Sequence, residues 1–169
     1  MKQVKLYNVI FPFWFLLFFP PVILVTLAGN FLIDSGVLLA CYFVYRLADW
    51  QVELKSFYKQ SILKVWFFGF LADIIGAAFL FITGILGERW GIPYEISSAI
   101  NFDPFSHPLA VLIIITATLI SALLIFWFNY RVTFKNLIKE QQLRFKAAVT
   151  IALITAPWTF LLPTKWFYY

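Results

Sequence analysis

The sequence predicts an all-α integral membrane protein, a polytopic bundle of about five transmembrane helices with its amino terminus cytoplasmic and its carboxyl terminus outside. Three observations carry that prediction. Hydrophobic residues make up 63% of the 169-residue chain and charged residues only 12%, against roughly 45–50% and 25% in soluble domains. The apolar residues come in stretches long enough for a hydrocarbon core of about 30 Å, which takes roughly 20 helical residues to cross. The basic residues fall in short tracts between those stretches, the pattern of a protein held in a bilayer with its positive loops inside.

Composition also excludes several classes. A soluble domain of this length leaves about a third of its unfolded surface exposed, and a chain that is 21% aromatic has too little polar surface to cover it. The formal charge of +5 does not point to nucleic acid, because the cations are spread over connectors rather than gathered on one face. Cys41 is the one cysteine and His107 the one histidine. No intrachain disulfide can form, and a zinc site, which needs three or four N or S ligands, is not expected. No motif names a cofactor.

The chain divides as a single transmembrane domain, 1–169. Its first apolar stretch, Asn8 to Tyr45, has Asp34 as its only charge and is too long for one crossing. Two crossings fit, about 8–27 and 31–46, divided at Ala28-Gly29-Asn30, where Gly and Asn suit a tight turn. Pro20-Pro21 then falls inside the first crossing and should kink it. Residues 47–60 form a polar connector in which Trp50, Leu54, Phe57 and Tyr58 recur at helical spacing, favouring continuation of the second helix into water. The third crossing is expected over 61–86, followed by an outer connector, 87–107. The fourth, 108–130, starts after Ser106-His107-Pro108, with Ser as cap and Pro in the first turn. A second amphipathic connector, 131–145, leads to a fifth crossing, 146–162, bent or weakened by Pro157. The tail from Lys165 to Tyr169 has the composition of an aromatic interface anchor.

Orientation follows from the basic residues. Lys2 and Lys5 lie at the amino terminus, Arg46, Lys55, Lys59 and Lys64 between the second and third crossings, and Arg131, Lys135, Lys139, Arg144 and Lys146 between the fourth and fifth. Arg89 and Lys165 alone fall on the other side. The positive-inside rule makes the first side cytoplasmic, in the plasma membrane.

Two acids stand where they are costly. Asp34 lies 12 residues from Arg46 and Asp73 lies 9 from Lys64, about 18 Å and 13–14 Å at the helical rise. Both carboxylates therefore belong to the middle of the bilayer. An ionised Asp there costs at least about 2.5–3.5 kcal/mol and usually handles an ion or a proton. Asn30 precedes Asp34 by one helical turn and joins it as a candidate ligand for an ion or substrate. Asp73 sits in the small-residue stripe Gly69, Ala72, Asp73, Gly76, Ala77, which lets a neighbouring helix approach closely. The structural alternative is that each Asp hydrogen-bonds across a helix pair and only holds the bundle together.

The outer connector offers a second set of binding candidates, Trp90, Tyr94, Glu95, Asp103 and His107, in a loop longer than an idle connection needs. Ala148, Ala152 and Ala156 recur every four residues along the fifth crossing. That spacing marks helix packing and could also seat a membrane-protein partner or a second copy of the chain. The leading function is a transporter, or a membrane subunit of a transport complex, for a cation, proton or small polar substrate. The competing class is a non-catalytic membrane partner (an assembly, immunity or regulatory subunit). Third stands an intramembrane aspartyl-type hydrolase, although the Gly-x-Gly-Asp pattern of the presenilin type is absent.

Overall fold

The computed structural model describes Phe15 and residues 20–167. It is a bundle of five α-helices and no strands among those residues: α1 Pro20–Val44, α2 Leu54–Ile85, α3 Tyr94–Phe102, α4 Pro108–Phe128 and α5 Gln141–Ile154. Three of the helical segments, Ile23–Val44, Leu54–Ile85 and Pro108–Thr133, are long and apolar enough to cross a membrane. Their outward faces carry Leu32, Phe43, Phe67, Leu112, Leu123 and Trp127, all exposed. Lipid is the solvent that makes such surfaces stable.

The amino-terminal division expected from the sequence is not what forms. The α1 helix runs without interruption through Ala28-Gly29-Asn30, so residues 20–27 belong to the same helix as 31–44 and no turn divides them. The rest of the 8–27 segment, like Lys2, Lys5, Tyr168 and Tyr169, lies outside the described residues, apart from Phe15, which stacks on Phe81. A turn at Gly29 would expose backbone N–H and C=O groups to hydrocarbon at several kcal/mol each, whereas a glycine inside a helix costs only about 1 kcal/mol.

The basic connectors are tighter than their sequences suggest. The second helix does not continue past Val44. Arg46 (φ 48°) and Gln51 (φ 60°) adopt left-handed backbone on either side of a single 3₁₀ turn, Leu47–Trp50. Tyr42 Oη donates to the Val52 carbonyl at 2.8 Å and Leu47 is fully buried, which pins the turn back onto the bundle. The following amphipathic residues, from Leu54, are already α2. At the same end of the bundle α4 passes into a π-helical turn, Asn129–Thr133, whose first residue donates from Nδ2 to the Ile125 carbonyl. Phe134 then stacks on Phe57, joining the two connectors.

At the opposite end the 87–107 connector contains α3, which buries Ile96, Ala99 and Ile100 against α2 and α4. The cap of α4 is His107 rather than Ser106: its Nδ1 accepts the Leu109 N–H, and Pro108 occupies the first turn.

The bundle is assembled around α2, which packs on α1, α3 and α4. A Cβ placed on Gly76 would run into Ser121 Oγ and lie 3.0 Å from Phe160 and 3.2 Å from the Ala117 carbonyl. Ser121 Oγ donates to the Ala72 carbonyl at 2.9 Å, fastening the same crossing. Trp66 Nε1 reaches the Leu27 carbonyl and ties α1 to the other side of α2. The Ala148 and Ala152 face of α5 is turned inward on α4 and α1, with Ala156 buried just beyond. That face is therefore taken up by the chain's own helices and leaves no docking surface for a partner.

Two outcomes follow. Gly76→Ala should destabilise the protein in detergent by about 1–3 kcal/mol through overpacking, while Gly29→Ala, whose Cβ meets nothing within 4 Å, should be neutral or raise the melting temperature. Equal effects would contradict the close α2–α4 approach. In a Cys41→Ala background, Cys at Lys55 or Lys139 should be protected from an impermeant thiol reagent in intact cells, and Cys at Trp90 labelled. Labelling of Lys55→Cys from outside would reverse the orientation drawn from the positive-inside rule.

Candidate functional site

Asp34 lies 10 residues before the end of α1 and Asp73 lies 12 before the end of α2, about 15 Å and 18 Å along their helices. The two helices end at opposite faces of the bundle, so both carboxylates come to mid-depth. They also come together laterally. A Cβ on Gly69 would be 3.7 Å from Asp34 Oδ2, so the Asp34 side chain rests on α2 one turn from Asp73.

Both acids are buried, Asp34 at 3% and Asp73 at 7% exposure. They line one cavity of about 230 Å³, together with Asn30 and Thr26 from α1 and Thr155 and Thr159 from the segment that follows α5. At about 30 Å³ for each water, such a volume holds roughly seven. Among the described residues no Lys, Arg or His contributes to the lining. Three of its lining residues, Ile33 from α1 and Ile154 and Thr159 from α5 and the segment after it, are exposed among the described residues.

The fifth segment makes this cavity by failing to remain helical. Only Gln141–Ile154 is α-helix, about 21 Å of rise, and the chain reaches the other end of the bundle through irregular and 3₁₀ geometry. The last α-helical bond runs from the Thr155 N–H to the Ile151 carbonyl. Pro157 has no N–H to give Leu153, and the Leu153 carbonyl takes the Trp158 indole N–H instead, at 2.9 Å. The expected 146–162 crossing is thus a half-helix broken at the depth of the aspartates. Its negative dipole end lies beside the cavity.

Neither carboxylate has a hydrogen-bond donor among the described residues, and Asp73 Oδ1 is enclosed without any partner. Burial of an unpaired acceptor costs about 1–3 kcal/mol, and more for a charged group. The Thr155 hydroxyl gives its proton to the Ile151 carbonyl at 2.8 Å and so presents only lone pairs to the space around it. Among the described lining residues the side-chain oxygen acceptors outnumber the donors left free, the Asn30 amide and the Thr159 hydroxyl.

Of the residues singled out in the sequence, Asp34, Asp73 and Asn30 meet in this cavity. The five outer-connector candidates do not join it. Trp90, Tyr94 and Glu95 are exposed at the far end, Asp103 pairs with Lys165, and His107 caps α4. Thr26, Thr155 and Thr159 were missed by the sequence reading. The available signal was a pair of hydroxyls flanking Pro157 inside an apolar crossing. Comparison with protein-family models, with curated proteins and with solved structures finds no match to this chain.

A cavity of this kind should be reachable by charge. In the Cys41→Ala background, Thr155→Cys should react with a cationic methanethiosulfonate at least about ten-fold faster than with an anionic one, because the carboxylates focus the local field. An unreactive thiol, or one without charge preference, would contradict an open acidic cavity.

Proposed function

We propose that this polytopic membrane protein is a small transport protein of the cytoplasmic membrane, or the membrane subunit of a transport complex. The Asp34–Asp73 cavity is where the transported cation, proton or small polar substrate is held. The observation that carries this reading is the lack, among the described residues, of any hydrogen-bond donor to either carboxylate. An acid kept only to fasten helices would be hydrogen-bonded to a neighbouring helix, and its burial would otherwise be a net cost. Ionisable groups at mid-bilayer that face a cavity rather than a partner are characteristic of ion and substrate pathways. The interrupted α5 supports the same reading, since irregular backbone at this depth is tolerated where it lines a cavity, and half-helix ends at the midplane are a recurrent way of meeting a transported ion.

The test is reconstitution of the purified protein into liposomes carrying a pH-sensitive dye, with imposed gradients of cations and small polar solutes. Wild-type protein should dissipate at least one gradient. Asp34→Asn and Asp73→Asn should fold normally yet lower the flux at least ten-fold, a change of about 1.4 kcal/mol in barrier. Asp→Leu at either position should also fold, since no bonded partner is orphaned by it. Asn variants with undiminished flux would sink the assignment, and so would Leu variants that unfold while the Asn variants are silent.

A further inference from the structure

We infer that the occupant of the Asp34–Asp73 cavity is a hard metal cation, held by oxygen atoms from both aspartates, Asn30 and the broken end of α5. The inference rests on the transport reading and narrows it to one class of ligand.

Three features select that class. The first is charge. Two carboxyl groups share the cavity, no basic side chain among the described residues lines it, and the end of α5 adds the negative pole of a helix. An anion is excluded by repulsion from all three. The second is the donor set. The lining atoms able to bind are carboxylate, amide, hydroxyl and main-chain oxygens, with no thiol or imidazole among the lining residues. Oxygen sets of this kind suit Na⁺, K⁺, Mg²⁺ or Ca²⁺ and not the softer metals that prefer Cys or His.

The third is the direction of the hydrogen bonds. A neutral polar solute such as a sugar or amide needs donors as well as acceptors from its site. Thr155 has already given its proton to Ile151, and Asp73 Oδ1 is an enclosed acceptor without a donor. The Asn30 amide and the Thr159 hydroxyl are the donors left among the described lining residues, against acceptors from both carboxylates, the Asn30 carbonyl and Thr155, a balance that a cation completes better than a neutral solute. The volume of about 230 Å³ exceeds that of a bare ion, so the cation would retain part of its hydration, as Mg²⁺ commonly does.

The break is part of the site. If α5 continued as helix beyond Ile154, its carbonyls would be bonded along the helix and closed to a ligand. Pro157 prevents that, and an ion near the helix end would compensate carbonyls that the ladder leaves without backbone donors.

The experiment is thermal unfolding of the purified full-length protein in detergent, with N-methylglucamine chloride replaced at constant ionic strength by the chlorides of Na⁺, K⁺, Mg²⁺ or Ca²⁺. At saturation the metal that fits should raise the melting temperature by about 5–10 °C. Asp34→Asn and Asp73→Asn should weaken its apparent affinity at least ten-fold without lowering the melting temperature in N-methylglucamine. Asn30→Ala should produce a smaller loss of the same kind, and it serves as the second lesion if an Asp variant expresses poorly.

Equal metal responses in wild type and both Asn variants would place the metal elsewhere and overturn the inference. If no metal shifts wild type while Thr155→Cys still reacts with the cationic reagent, the cavity stands as a binding site and the metal assignment falls. If the metals are silent and the thiol is also inert, the transport reading falls with it.

Discussion

Inside a bilayer every backbone N–H and C=O must be satisfied by the protein itself, and the rest of this structure is arranged around that requirement. It keeps α1 helical through Gly29 and Asn30, two residues that would end a helix in water. It allows α5 to stop at Ile154 only because the interrupted backbone finds other partners. The Thr155 hydroxyl serves Ile151, the Trp158 indole serves Leu153, and the Trp158 N–H closes on Ala156. The break is thus locally repaired on one side and open to a polar cavity on the other.

The α2 helix converts that local event into a site. Gly69, Asp73 and Gly76 lie along one face at successive turns. Gly69 faces the Asp34 side chain, Gly76 admits α4 and Phe160, and Asp73 lies between them. The close approach brings dispersion contacts and the Ser121–Ala72 bond, which drive helix association where lipid tails compete for every apolar contact. Against this gain stand two enclosed acids, each costing at least about 2.5–3.5 kcal/mol when ionised. A domain's net stability is only about 5–15 kcal/mol. Such a burden, with no hydrogen bond to offset it, is difficult to explain as packing and straightforward to explain as binding.

Much of this was legible in the sequence. Hydropathy and length placed α4 and the end of α2 closely, though α2 begins at Leu54, seven residues before the expected start, and charge among apolar residues singled out Asp34 and Asp73. The small-residue stripe around Asp73 showed which face of α2 would be buried. The errors have physical causes. A long apolar stretch containing Gly and Asn looks like two crossings when judged by turn propensity, yet the cost of unsatisfied backbone in lipid outweighs propensity. Residues 47–60 combine a left-handed turn at Arg46 and Gln51 with the start of α2, and no periodicity reveals where one gives way to the other. Pro157 was visible as a weak point, but whether a proline kinks a helix or ends it depends on which donors reach the freed carbonyls. That depends on Thr155 and Trp158 in three dimensions. The outer connector shows the converse problem: its aromatic and acidic residues suggested a site, and the structure gives several of them local work as a cap, an ion pair and an exposed aromatic rim.

The central claim is that Asp34 and Asp73 occupy one cavity as unpartnered acids that face a ligand and do not fasten helices. A double-mutant cycle on stability addresses it without knowledge of that ligand. Melting and denaturant unfolding would be measured in N-methylglucamine for wild type, Asp34→Asn, Asp73→Asn and the double variant. Each single replacement should stabilise the protein, and the two gains should fall short of additivity by at least about 0.5 kcal/mol, because relieving one acid lessens the burden on the other. Additivity within about 0.3 kcal/mol, or a loss of stability in either single variant, would mean that the two acids are separate structural groups and that the shared site does not exist.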